Sequence, residues 1–122
     1  LWEMAEKTAG SGLARMALVP RVLEARGLDV TPGMIVKLRS LGDDTTADIL
    51  EVILREEVGH VAAGSRWYRW HCERAGVEPR ARFRELLQAY ASGVLHKPFN
   101  TEARLAAGFD LEELESLLAA AD

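Results

Sequence analysis

One cysteine, Cys72, stands in a chain of 122 residues. It excludes an internal disulfide framework and any zinc site built on cysteines, and it fits a reducing, cytoplasmic compartment. Positive charge is also scarce. Fifteen Lys and Arg face nineteen Asp and Glu, so the formal net charge is -4 and the pI about 5.4. Nucleic acids and anionic membranes attract basic surfaces, so this balance argues against both as partners. No apolar run approaches the roughly 18–20 residues that cross a bilayer. Sustained alternation of β-branched residues is missing too, and with it the mark of strands.

What is present is helix-forming. Ala, Leu, Glu and Arg dominate, apolar residues make up 48% and charged residues 28%. Such a composition at this length predicts one all-α domain over residues 1–122. A first helix spans about Leu1 to Ala9 and breaks at Gly10-Ser11-Gly12. The second runs from about Gly12 to Arg26, with Pro20 inside it and Gly27 as its C-cap. Thr31-Pro32 signals a new start, and that short helix closes at Gly42. Asp43 or Asp44 caps the longest helix, about Thr45 to Ala75, which Gly76 ends. Three shorter helices follow: one after Glu78-Pro79, one capped by Asn100 or Thr101, and one capped by Asp110. The opening Leu1-Trp2-Glu3-Met4 reads as helix interior, so further residues are expected before it.

On the long helix Ile49, Ile53, Glu57, His60, Gly64, Trp67 and His71 share one face. That face is an apolar stripe with two ionisable groups in it. Its Ile49, Ile53 and Trp67, with Leu13, Met16 and Leu23 of the preceding helix, are expected to form an apolar face that the chain leaves uncovered for a partner. Glu57-Val58-Gly59-His60 is a Glu-x-x-His, and positions i and i+3 project to one side of a helix. A carboxylate and an imidazole can therefore reach the same metal ion. Glu24 lies in the apolar stripe of the preceding helix with Leu13, Met16, Ala17 and Leu23, where a carboxylate is costly unless paired or metal-bound. Pairing of Glu24 with Arg21 or Arg55, and of His60 with Glu56, are the competing readings. Trp67, Tyr68 and Trp70 are packing residues for a core or an interface, and Cys72 reads as a structural thiol.

Two stretches, Met16 to Ile35 and Ile49 to Gly64, resemble a bacterial family of ferritin-like proteins filed as a domain of unknown function, and Lys97-Pro98-Phe99-Asn100 fits that family's later loop. The resemblance covers about Leu1 to Phe109. It implies a ferritin-like helical bundle over residues 1–76, here a half-bundle, with residues 77–122 as a C-terminal helical extension. It also implies a dinuclear iron or manganese site with Glu24, Glu57 and His60 as metal ligands. In such bundles two helices each give one Glu and two each give Glu-x-x-His. This chain carries one half of that set.

The expectation is therefore a metal-binding protein whose parent performs oxygen-dependent oxidoreductase chemistry of the hydroxylase kind. O₂ and a small substrate are its expected reactants. A homodimer, or an N-terminal half of the same protein, would complete the site. The alternative is a metal-free helical interaction or dimerisation module.

Overall fold

The computed structural model describes residues 2–121, and the expected helix start at Leu1 lies outside them. Every regular element among the described residues is helical. The helices are α1 (Trp2–Lys7), α2 (Gly12–Leu18), α3 (Arg26–Ser40), α4 (Asp44–Ala75), α5 (Pro79–Tyr90), α6 (Thr101–Ala106) and α7 (Leu111–Ala120). A π-helical segment, Val19–Glu24, joins α2 to α3.

The starts follow from side-chain caps, which satisfy amides that the first turn leaves free. Ser11 accepts from the Ala14 amide, Asp43 from Thr46 and Glu78 from Ala81, at 3.1, 3.1 and 2.7 Å. Asp110 accepts from the Glu113 amide at 2.8 Å while Glu113 accepts from the Asp110 amide at 3.1 Å, a reciprocal capping box. Gly76 ends α4 with φ +67°, a conformation that suits a residue without a Cβ.

Gly27 does not end a helix, and Thr31-Pro32 does not start one: both lie inside α3. Pro32 has no N–H to give to the Leu28 carbonyl one turn earlier. Asn100, far along the chain, supplies the missing donor, its side-chain amide reaching that carbonyl at 3.0 Å. The local stop signal is thereby overridden by a tertiary hydrogen bond.

α3 and α4 form an antiparallel hairpin. Arg39, in the last turn of α3, bonds Asp48 and Glu51 near the start of α4 at 2.9 and 3.0 Å. The beginning of α3 lies opposite Ile53 and Glu57, further along α4.

The apolar stripe with Ile49, Ile53 and Trp67 is left uncovered, as expected, and α4 buries another face. Ala47, Val61, Gly64, Ser65, Tyr68 and Cys72 are buried, whereas Ile49, Ile53, His60 and Trp67 are exposed. Of that stripe only Gly64 is buried, and Glu57 and His71 are half-buried. The close crossing with the preceding helix sets this rotation: a Cβ on Gly64 would stand 2.4 Å from the Pro20 ring. With Gly64 facing Pro20, the neighbouring Ser65 and Tyr68 turn to the core. Leu13, expected on an uncovered face, is also buried, and Met16 and Leu23 pack against the core.

The segment after Gly76 shares this core. Phe83, Leu86, Leu87, Phe109, Leu114 and Leu117 belong to the same cluster as Leu18, Val22 and Val61. Two buried ion pairs fasten it. Arg21 holds Glu113 through both terminal nitrogens at 2.7 and 2.8 Å, and its Nε donates to Ser65 at 3.0 Å. The guanidinium lies over the rings of Tyr68, Phe83 and Phe109. Arg104 grips Asp29 at 2.6 and 3.0 Å with both side chains buried. Burying such charges is tolerable because each is paired and hydrogen-bonded.

Candidate metal site

Pro20 cannot donate to a carbonyl one turn back, and the helix answers by widening. The Ala25 amide reaches five residues back to the Pro20 carbonyl at 3.0 Å. Glu24 is the last residue of this widened segment. Pro20, Arg21 and Val22 turn into the core, and Glu24 turns out to solvent. π-segments inside helices recur at functional sites, because the extra residue re-aims the side chains around it.

Glu24 and Glu57 line one surface depression of about 310 Å³, together with Gly27, Thr31, Ile53 and Leu54. Glu57 comes from the middle of α4 with a quarter of its side chain exposed. His60, one turn on, is well exposed, with Nδ1 at 3.3 Å from Glu57 Oε2. That is slightly beyond the usual hydrogen-bond range, and the ring tautomer decides which group donates. His60 therefore selects Glu57 over Glu56. Neither Arg21 nor Arg55 pairs with Glu24 among the described residues; Arg21 is committed to Glu113.

The structure thus brings Glu24 and Glu57 to one depression and sets His60 against Glu57. It does not gather the three into a closed cluster: among the described residues no group of three or more His, Cys, Asp or Glu stands close enough to hold a metal ion. The donors fit one side of a site, two carboxylates and an imidazole on adjacent helices, open towards solvent.

Large apolar side chains are exposed on the same two helices: Met34 of α3, and Ile49, Val52, Ile53, Trp67 and Trp70 of α4. The two indoles meet edge to face at 5.6 Å, and Arg74 covers Trp70. His71 packs against Gly12 on the inner side, where a Cβ on the glycine would come within 2.7 Å of its ring. Cys72 is buried and free, and desolvation raises its thiol above the usual range, as a structural thiol requires. No described helix is long and apolar enough to cross a membrane.

Against known families the match is to a protein family of unknown function, DUF455, over residues 1–115. The chain belongs to this family. An uncharacterized protein of Haemophilus influenzae is 46% identical over 115 residues, which cover 94% of this chain and 40% of the relative. This DUF455 chain thus spans about two-fifths of the relative's length. No solved structure matches it.

The buried Arg21–Glu113 and Arg104–Asp29 pairs have no counterpart in the sequence reading. A signal was available. Ala17, Leu18, Arg21, Val22, Ala25 and Leu28 follow a helical repeat and are all buried. An arginine inside such a stripe demands a carboxylate from elsewhere in the chain.

Proposed function

We propose that Glu24, Glu57 and His60 form one half of a carboxylate–histidine metal centre of the ferritin-like, dinuclear iron or manganese kind. Donors from a second copy of the chain complete it. The observation that carries this reading is the Glu57–His60 pair beside the depression that Glu57 shares with Glu24. Oxygen donors with one imidazole suit iron and manganese better than soft-ligand metals. In the completed site Glu57, Glu24 and His60 would hold the metal. Bound there, iron would supply activation of O₂ for oxidation of a small substrate. Ile53, Leu54 and Thr31 line the depression beside the carboxylates.

The exposed Met34, Ile49, Val52, Ile53, Trp67 and Trp70 support completion from outside, since large apolar surface is normally covered by another element. The same observation favours a second reading, a metal-free helical module that pairs through this surface.

Anaerobic titration with Fe(II), followed by light scattering, separates the two. Saturable binding that disappears in Glu57→Ala supports the metal centre. Dimerisation without metal uptake, unchanged in Glu57→Ala, supports the module.

A further inference from the structure

A second cavity, of about 120 Å³, lies on the other side of the π-segment beneath the 94–99 loop. Arg104, Arg26 and Asp29 supply its charged lining, and Val94, Leu95 and Phe99 belong to its apolar lining. Arg104 is 1% exposed and its fork is only partly used. Nε and Nη2 face Asp29 at 3.0 and 2.6 Å. Nη2 has a second, long contact to the Ala25 carbonyl at 3.5 Å. Nη1 has no hydrogen-bond partner among the described residues. The Nη1/Nη2 edge of a buried guanidinium is thus left short of acceptors, a situation folded proteins avoid.

Water serves the polar end, where Arg26, Asp29 and His96 also line the space, but several molecules, each wanting two to four polar partners, find none on the side chains of Val94, Leu95 and Phe99. The charge count points to an anion: two arginines face one aspartate. Arg26 is held beside the cavity by its bond to the His96 carbonyl at 3.0 Å. A carboxylate matches this edge, accepting from Nη1 and, in place of the long Ala25 contact, from Nη2. A cavity of about 150 Å³ holds benzene, so this one admits roughly five non-hydrogen atoms. We infer that the cavity binds a short-chain monocarboxylate of propionate size, its carboxylate on the Arg104 edge and its aliphatic end against Phe99 and Leu95.

The test is titration of the ¹⁵N-labelled chain with propionate, propionamide and inorganic phosphate, read by amide shifts. The expected result is saturable shifts confined to Val94–Asn100 and the Arg104 region, with half-saturation on the order of 1 mM, as suits so small a ligand. Propionamide, the neutral isostere, should bind at least tenfold more weakly. Val94→Phe, which narrows the cavity, should remove the response. Arg26→Gln, which touches neither buried ion pair, should weaken it several-fold and serves if the first variant does not fold. Absence of saturable shifts at tens of millimolar propionate, equal binding of propionamide, or preference for phosphate would each overturn the inference.

Discussion

Gly64 lies so close under Pro20 that a methyl group on it would stand 2.4 Å from the ring carbons Cβ and Cγ. The contact joins the centre of α4 to the widened segment that ends in Glu24. Both partners are constrained, one by a rigid ring and the other by a helix backbone, so neither yields cheaply. Gly64→Ala should destabilise the chain by about 2–3 kcal/mol despite alanine's better helix propensity. Urea denaturation measures this. Stability equal to or above that of the parent chain would show that the crossing has slack.

Glu113 is shared among Arg21, Arg69 and the Asp110 amide. Glu113→Ala leaves the Arg21 guanidinium buried without its counter-charge, at a cost of about 3–5 kcal/mol. The double variant Arg21→Met, Glu113→Leu removes both charges and should recover most of that loss. A double variant as unstable as the single one would place the cost in lost packing instead.

Asn100 has two duties. It caps α6 by accepting from the Ala103 amide at 3.2 Å and donates to the carbonyl that Pro32 leaves free. Asn100→Ala should cost about 2 kcal/mol, and Asn100→Asp, which keeps the cap but cannot donate, somewhat less. Hydrogen exchange at the amides flanking Pro32 in α3 should rise in both. Unchanged exchange in α3 would separate that helix from the 94–100 loop.

Asp110 sets an acid limb of stability. Burial works to raise its carboxyl, but hydrogen bonds from Arg80 and the Glu113 amide, with the charges of Arg80 and Arg69, hold it below 3.8. A carboxyl depressed in the folded state adds stability above its unfolded value, near 4, and that stability fades as pH falls through the folded value. Asp110→Asn should therefore lower stability at neutral pH and flatten the loss below about pH 4. Parallel stability–pH curves for variant and parent would contradict this.

Much of the helical frame was legible because it is local. Asp43, Asn100 and Asp110 cap the helices their sequence positions announce, and Gly76 ends the long one. Failures came where distant residues intervened. Nothing near Pro32 reveals that Asn100 will satisfy the Leu28 carbonyl. Periodicity shows the apolar stripe of Ile49, Ile53 and Trp67 that the chain leaves uncovered, but not that Ala47, Val61, Ser65 and Tyr68 make the buried face, a rotation set by the Pro20–Gly64 crossing. The candidate site was half legible for the same reason. Glu-x-x-His spacing is enough to place His60 against Glu57 on one helix, and Glu24 reaches the same depression through a π-segment that no spacing rule reveals. Arg21 and Glu113 lie 92 residues apart, beyond any local pattern.

The central claim concerns Glu57 as a metal ligand, and metal retained after anaerobic reconstitution with Fe(II) tests it most directly. The parent chain and Glu57→Ala would be desalted and their iron measured by elemental analysis, with helicity recorded for each. The account predicts iron in the parent chain, and its loss from Glu57→Ala at unchanged helicity. Equal iron in the two, or none in either, would contradict it.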